Sequence, residues 1–356
     1  MTTTAAIPAG PADVTSAWLS AVLGTDISEV TVTPVGTGQT GATYRVTPTY
    51  AVAQAGLPDT MIVKLPSQDE AVRERVALGY RAEYTFYTEV ADTLTVPLPE
   101  WFHCEIDREG ADFVLLMADL APAVQGDQIA GCNLVEARLA VQALAGLHGP
   151  RWCDSGWLSF AGTTMPLADA DFARGMGDLA KMAADTTIGE LGERMTDADR
   201  GTLTEAAALV GPWLLLSPER FSLLHGDYRV DNLLFDPERT RVTVVDWQTL
   251  TVGLPARDLA YFVATSLAPE LRAAVEQELA DAYYDALIAE GVTEYGRETC
   301  WQDYALGMLQ VPLLTTFGFA FAAATDRGDD MVLAMLERGC RAIRELGTLD
   351  QIRAQS

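Results

Sequence analysis

The chain has 356 residues, with 24 basic and 50 acidic side chains, and its net charge of −26 corresponds to a pI near 4.3. This excess of negative charge repels phosphate backbones and anionic lipids, which argues against nucleic acid or a membrane surface as a partner. Hydrophobic residues make up 49% of the sequence, as in globular proteins, and the length predicts two domains or lobes.

The cysteine pattern and the N-terminal segment predict a cytoplasmic protein. Five widely spaced cysteines, none of them in a CxxC pair, occur at Cys104, Cys132, Cys153, Cys300 and Cys340. Such spacing predicts neither a zinc site nor a disulfide framework, and it fits a reducing compartment. Residues 1–10 contain no basic segment followed by an apolar one, so we expect no signal peptide. The apolar stretch 311–324 is too short to span a bilayer and is interpreted as a buried helix.

The first third of the chain predicts an antiparallel sheet. Alternating hydrophobic residues indicate strands, whereas hydrophobic residues three and four apart indicate helices. In chain order the predicted elements are helix 13–23, strands 30–35, 42–46 and 61–65, helix 70–90, and strands 101–106 and 113–117. We therefore expect five antiparallel strands with one inserted helix.

The rest of the chain predicts a helical lobe. Helical spacing occurs over 134–148, 200–215, 256–267, 270–290 and, in pieces, 300–345, and one short β region lies within 221–247. The composition changes near 118–126. The sequence therefore predicts an α+β fold, with an N-terminal lobe over 1–117, a hinge over 118–126 and a mainly helical lobe over 127–356.

One polar loop in the helical lobe contains closely spaced carboxylate and amide side chains. It contains Asp227 and Asn232, five residues apart, and Asp246 follows at the end of the apolar strand 242–245. Side chains at this spacing in a tight loop can point at a common centre, and carboxylate and amide oxygens are the ligands that Mg²⁺ prefers. Two magnesium ligands and one further carboxylate near an acceptor hydroxyl are what phosphoryl transfer needs.

The pattern His-Gly-Asp-x4-Asn, followed by Asp-Trp-Gln at a strand end, resembles the aminoglycoside phosphotransferase and choline kinase-like superfamily. Within it, the chain is most similar to the ecdysteroid-kinase-like branch of actinobacteria. The resemblance extends from the glycine turn at 36–41 to the terminal helices. It implies a protein-kinase-like two-lobe fold and an ATP- and Mg²⁺-dependent kinase that phosphorylates a hydroxyl of a small molecule. GTP is an alternative donor, because some antibiotic kinases of the superfamily use it.

The resemblance also implies a role for each residue of the loop. Asp227 would be the catalytic base, and Arg229 would neutralise charge on the transferring phosphoryl group. Asn232 and Asp246 would hold Mg²⁺, and His225 would brace the loop. Downstream of this loop, a family aspartate that buttresses it corresponds to Asp258, whose alternative role is to stabilise the N-terminus of its own helix.

The resemblance places nucleotide-binding residues in the N-terminal lobe. Lys64, one of only two lysines in the chain, follows an apolar strand. In the family, this lysine contacts the α- and β-phosphates and pairs with a helix glutamate, to which Glu83 corresponds, with Glu70, Glu74 and Glu89 as competitors. The glycine turn would offer backbone amides to the phosphates, and the hinge backbone would bond the adenine edge. These two segments comprise Gly36, Thr37, Gly38 and Gln39 in the turn and Met117, Asp119 and Leu120 in the hinge.

Several alternatives remain open at this point. The acceptor is an aminoglycoside, a hydrophobic alcohol such as a steroid, or choline, a sugar or another small metabolite; the aromatic late helices favour the second class slightly. The alternative to an enzyme is a catalytically silent, nucleotide-binding pseudokinase with a regulatory role. A protein kinase is disfavoured, because Trp-Gln and not Phe-Gly follows Asp246 and no Ala-Pro-Glu follows. The sequence is compatible with a monomer or a homodimer.

Overall fold

The structure is a computed structural model that describes residues 6–35, 41–52, 56–107, 110–321 and 325–356. The chain divides into two units. The N-terminal unit consists of Met1–Asp92, Leu98–Ala121 and Asp246–Thr249, and the C-terminal unit consists of Thr93–Pro97, Pro122–Val245 and Leu250–Ser356. The lobe and hinge boundaries predicted from the sequence stay a prediction about domain organisation.

The N-terminal unit contains the predicted five-stranded antiparallel sheet, so that prediction is confirmed. The strands are β1 (Ile27–Pro34), β2 (Gly41–Tyr50), β3 (Met61–Pro66), β4 (Trp101–Ile106) and β5 (Phe113–Ala118). Their order is β1-β2-β3-β5-β4, and every neighbouring pair is antiparallel. Alternate residues of β3, Met61, Val63 and Leu65, are fully buried, as the alternating pattern predicts. They pack in one apolar core with helix α1 (Ser16–Leu23).

The helical run predicted as one element over 70–90 is three elements in the structure. Helix α2 (Glu70–Arg75) begins at the cap Asp69, whose carboxylate accepts from two backbone amides, and it ends at Val76. Val76 has φ −101° and ψ 9°, outside the helical range, and separates α2 from α3 (Ala77–Thr85). A π-helical turn, Phe86–Val90, follows. Turns of this kind often occur next to functional sites.

The C-terminal unit is mainly helical, as predicted. Its helices are α4 (Leu134–His148), α5 (Ala170–Leu191), α6 (Asp197–Leu214), α7 (Ala256–Ser266), α8 (Pro269–Ala289), α9 (Arg297–Gly307), α10 (Gln310–Phe321), α11 (Asp326–Leu346) and α12 (Thr348–Gln355). The helical segments predicted from the sequence do not include α5, whose three glycines and two adjacent threonines lower its helical propensity. One of these glycines, Gly177, lets α5 pack closely on Gly211 of α6.

Short strands in the C-terminal unit bracket the polar loop. They are β6 (Val124–Gln125), β7 (Ser222–Leu224), β8 (Leu233–Phe235), β9 (Val242–Val244) and β10 (Thr251–Gly253). Strand β7 pairs with β10, and β6, β8 and β9 form a second small sheet. The loop 225–232 thus starts where one sheet ends and stops where the other begins, so both of its ends are fixed.

One helical stretch, Arg297–Phe321, is long and apolar enough to cross a membrane by composition alone. In the structure, 67% of its most apolar window is buried inside the protein. Burial of this extent is typical of a core helix. Residues 311–316 of α10 are mostly buried, as the interpretation of 311–324 as a buried helix expects, whereas Phe321 is 49% exposed and residues 322–324 lie outside the described part of the chain.

Candidate functional site

The loop 225–232 brings the two predicted polar residues into direct contact. Gly226 has φ 83°, which glycine adopts without strain, and a short 3₁₀ turn, Val230–Asn232, closes the loop. The Asn232 amide Nδ2 donates to the Asp227 backbone oxygen at 2.8 Å and to its carboxylate Oδ2 at 3.1 Å. Because the nitrogen makes both bonds, the amide oxygen Oδ1 is the atom that can bind a metal.

Two further donors hold the Asp227 carboxylate. Arg229 donates from Nε to Oδ2 at 3.0 Å, and the Tyr261 hydroxyl donates to Oδ1 at 3.0 Å. The carboxylate is still 25% exposed, so it can meet a substrate. Sequence reasoning missed Tyr261. The signal that could have found it is its position three residues after Asp258, on the same face of α7.

Arg229 lies between two carboxylates. Its Nη1 donates to Asp231 Oδ2 at 3.0 Å, while its Nε bonds Asp227. Burial works against the charged guanidinium, but Asp227 and Asp231 together raise the pKa of Arg229 above its ordinary value. The residue is therefore a permanent cation beside Asp227. Its predicted action on the phosphoryl group stays a prediction.

Asp258 braces the start of the loop from α7. It is completely buried, and its two oxygens accept from the backbone amides of His225 at 2.7 Å and Gly226 at 3.1 Å. His225 fixes the other side of the loop. Its Nδ1 accepts from the Asp227 backbone amide at 3.3 Å, so Nε2 carries the ring proton and donates to the Val245 backbone oxygen at 3.1 Å.

Replacing Asp258 with asparagine is expected to destabilise the C-terminal unit. In asparagine one of the two accepting oxygens is replaced by an NH₂ group, which then faces a backbone N–H that is also a donor. A buried donor without an acceptor costs about 1–3 kcal/mol of stability. Denaturant unfolding of Asp258→Asn measures the loss. Asp197→Asn, at a side chain 95% exposed, is the matched control. Equal stability of Asp258→Asn and the wild type would contradict the bracing role.

In the N-terminal unit, the structure brings Lys64, Glu83 and Asp246 together. Lys64 Nζ lies 2.8 Å from Glu83 Oε2 and 2.7 Å from Asp246 Oδ1. Burial works against the charged amine, but the two carboxylates raise the pKa of Lys64 above its ordinary value. Burial raises the pKa of Glu83, while Lys64 opposes that rise. Of the four candidate glutamates, Glu83 is therefore the lysine's partner.

Residues 246–249 form part of this unit and pack on its helices. Asp246 has φ 70°, in the left-handed region that aspartate tolerates better than most residues. The Trp247 ring stacks on Phe86 of the π turn, with centroids 3.7 Å apart and planes at 7°. The Gln248 Nε2 donates to Glu83 Oε2 at 3.1 Å. The contacts of Trp247 and Gln248, the two residues that directly follow Asp246, therefore hold Asp246 in its left-handed conformation.

The remaining predicted residues have different outcomes. Met117 is a buried residue of β5, and Leu120 is half-buried. The Asp119 carboxylate accepts from Arg45 Nε at 2.6 Å and from the Ala121 amide at 3.1 Å, so its side chain supports the fold. Adenine binding by this backbone stays a prediction. The predicted turn residues lie outside the described part of the chain; these are Gly36, Thr37, Gly38 and Gln39. Within that part, no three His, Cys, Asp or Glu side chains cluster as a metal site.

A five-stranded sheet with an ion-paired lysine and a helical unit with a braced Asp-Asn loop define a kinase-like phosphotransferase. The chain belongs to the phosphotransferase enzyme family, which matches residues 31–295 of 356. The narrower assignment to the ecdysteroid-kinase-like branch stays a prediction.

Solved structures agree with this fold. A candidate aminoglycoside phosphotransferase from Ralstonia eutropha has a TM-score of 0.57 and 16% identity, over 93% of this chain and 97% of its own. The GDP complex of aminoglycoside 2'-phosphotransferase-IIIa has a TM-score of 0.50 and 15% identity, over 88% of this chain and 93% of its own. At these identities the likeness shows the fold alone.

Curated relatives match over short stretches. Acyl-CoA dehydrogenase family member 10 of Mus musculus is 47% identical over 51 residues, and family member 11 of Gallus gallus is 40% identical over 74 residues. These matches cover 14% and 19% of this chain but only 5% and 10% of the relatives' own lengths.

Proposed function

We propose that this phosphotransferase is a small-molecule kinase that transfers the γ-phosphate of ATP to a substrate hydroxyl. The observation that supports it best is the arrangement around Asp227. A permanent cation, an amide and a tyrosine hydroxyl hold this carboxylate, yet a quarter of its surface is exposed. A carboxylate held in this way is suited to orient and deprotonate an alcohol.

The N-terminal unit supports nucleotide binding. Lys64 is a cation held by two carboxylates, and a lysine ammonium is a common ligand of nucleotide phosphates. One fold relative is named as a GDP complex, which agrees with a purine nucleotide as the donor. ATP is the proposed donor from the family resemblance, with GTP as the alternative.

Both predicted magnesium ligands offer an oxygen of the kind that Mg²⁺ prefers. In Asn232 the amide nitrogen makes both hydrogen bonds to Asp227, so the amide oxygen is the atom that can bind a metal. The Asp246 side chain, beside Lys64, is 37% exposed. Each of these residues, taken singly, offers an oxygen that suits the ion, and from the family resemblance we propose that both serve as its ligands. When bound, Mg²⁺ would neutralise negative charge on the nucleotide phosphates.

The proposed reaction is a single displacement. The acceptor oxygen forms a bond to the γ-phosphorus, and the bond from that phosphorus to the β-γ bridging oxygen breaks. The acceptor's proton passes to Asp227, which releases it to solvent after the phosphorylated alcohol leaves. Most of the rate would come from positioning and charge stabilisation, because this chemistry needs little covalent help from the protein.

The acceptor belongs to one of several classes of alcohol. The candidates from the sequence are an aminoglycoside, a steroid-like alcohol, choline or a sugar. The curated relatives are named acyl-CoA dehydrogenase family members, so we add a hydroxylated acyl-CoA thioester. We further propose that the enzyme works in the cytoplasm as a monomer or homodimer, without nucleic acid or membrane as a partner.

The experiment is a turnover assay of the wild-type chain with Mg²⁺ and either ATP or GTP against a panel of these acceptors. Mass spectrometry of the acceptor, for a gain of one phosphoryl group, identifies the product, and omission of Mg²⁺ tests the ion. Nucleotide binding without transfer to any acceptor would favour the pseudokinase. Absence of nucleotide binding would contradict the proposed roles of Lys64 and the magnesium ligands.

A further inference from the structure

The Asp227 carboxylate has an asymmetric set of donors. Its Oδ2 accepts two hydrogen bonds, from Arg229 Nε at 3.0 Å and Asn232 Nδ2 at 3.1 Å. Its Oδ1 accepts one, from the Tyr261 hydroxyl at 3.0 Å. Each carboxylate oxygen has about two lone-pair sites. The site on Oδ1 that remains is therefore the one able to accept a proton from an alcohol.

We propose that Tyr261 is a positioning residue for the transfer reaction, because its hydroxyl orients Asp227 so that Oδ1 receives the acceptor's proton. The inference rests on the proposed function. The proton moves from the acceptor oxygen to Oδ1 as that oxygen bonds the γ-phosphorus, and it is later released to water. Tyr261 keeps its own proton throughout.

The surroundings of Tyr261 make it a rigid donor. It is 2% exposed and lies on α7, the helix that also contains Asp258, so one helix braces the loop backbone and orients the side chain of Asp227. Burial, and then the charge of Asp227, raise the pKa of Tyr261 well above its ordinary value of 10. A tyrosine that stays protonated at every working pH can only donate to the carboxylate.

The chain contains a matched tyrosine for comparison. Tyr304 of α9 is completely buried, and its hydroxyl donates to the Glu276 carboxylate at 2.8 Å. Glu276 also pairs with an arginine, Arg272, as Asp227 pairs with Arg229. Removal of either hydroxyl is the same chemical change in a similar environment, but only one of them touches the proposed base.

The test compares Tyr261→Phe with Tyr304→Phe. In Tyr261→Phe we expect kcat to fall about tenfold to hundredfold, since small misplacements of a reacting group cost rates of this order. The KM for the nucleotide should change by less than about twofold, because the change alters the base and not the phosphate ligands. In Tyr304→Phe, kcat should remain near that of the wild type with a similar loss in Tm. Unchanged kcat in Tyr261→Phe, or equal losses of kcat in both variants, would overturn the proposal.

A second measurement does not depend on turnover. In protein labelled at the tyrosine ζ carbon, the ¹³C signal lost in Tyr261→Phe identifies Tyr261. Asp227→Asn should shift that signal, and Asp171→Asn, at a side chain 88% exposed, should not. A signal that does not respond to Asp227→Asn would overturn the contact itself. If the signal responds but the wild type phosphorylates no acceptor in the turnover assay, the contact is supported and the proposed function is overturned.

Discussion

Asp227→Asn is expected to lower kcat by about 10²–10⁴-fold, the range that a general base contributes. The substitution keeps the size of the side chain and removes the negative charge that accepts the acceptor's proton. The KM for the nucleotide should change little, because nucleotide binding is assigned to Lys64 and the magnesium ligands. Steady-state kinetics with the acceptor found in the panel measures both constants.

The control for this change is Asp171→Asn, which removes one negative charge from an exposed position in the first turn of α5. Its kinetics should match those of the wild type. Thermal unfolding of Asp227→Asn separates loss of function from loss of fold. We expect a small change in Tm, because the Asp227 carboxylate is partly exposed. A kcat for Asp227→Asn within a few-fold of the wild type would remove Asp227 from the role of base.

Lys64→Met is expected to impair both activity and stability. The substitution keeps the apolar stem but leaves Glu83, which is 1% exposed, without its cation. Removal of one partner of a buried ion pair costs about 3–5 kcal/mol. Loss of a charged phosphate ligand should also lower kcat/KM for the nucleotide by about a hundredfold or more. Denaturant unfolding and steady-state kinetics measure the two effects.

The stability loss should depend on pH. Lys64 opposes the rise that burial causes in the pKa of Glu83, so in Lys64→Met that pKa lies higher than in the wild type and the folded variant retains the proton to a higher pH. The free-energy gap to the wild type should therefore be small in acid, where Glu83 is protonated in both folded chains, and widen as the pH rises, by up to about 1.4 kcal/mol per pH unit. A gap that does not vary with pH would mean that Glu83 is not the source of the penalty.

Two further variants separate the effects. Lys64→Met combined with Glu83→Gln leaves no buried charge at this position, so most of the stability should return while activity stays low. Lys181→Met removes the chain's other lysine, whose side chain is 53% exposed, and should change neither property. If the double variant stays as unstable as Lys64→Met, the penalty comes from lost packing and not from the unpaired charge.

The fold could be predicted where hydrophobic patterns are local. The alternation in β3 and the spacing in α4, with its Asn133 capping box, identify those elements directly. The break at Val76 was not predicted, because Val76 is neither a glycine nor a proline and so gives no local signal for the end of a helix. Helix α5 has weak intrinsic propensity and forms because its buried face packs on α6.

The same distinction between local patterns and long-range contacts applies to the candidate site. Asp227 and Asn232 are five residues apart in one loop, so their contact could be predicted from spacing. Lys64 and Glu83 lie on a strand and a helix, and their pairing was indicated only by resemblance to a family. Tyr261 and Asp227 are 34 residues apart and belong to no common motif, so their hydrogen bond became apparent only in three dimensions.

The chain's two lysines differ sharply in accessibility. Lys64 is 11% exposed and held as an ammonium by two carboxylates, whereas Lys181 of α5 is 53% exposed. Amine-directed reagents need a neutral, accessible nitrogen, so, apart from the amino terminus, Lys181 is the position that they would modify. Apart from any label on the amino terminus, a fluorophore or a surface tether attached through amine chemistry would therefore sit at one defined point on α5. That uniformity would suit single-molecule or immobilised assays of the phosphoryl transfer.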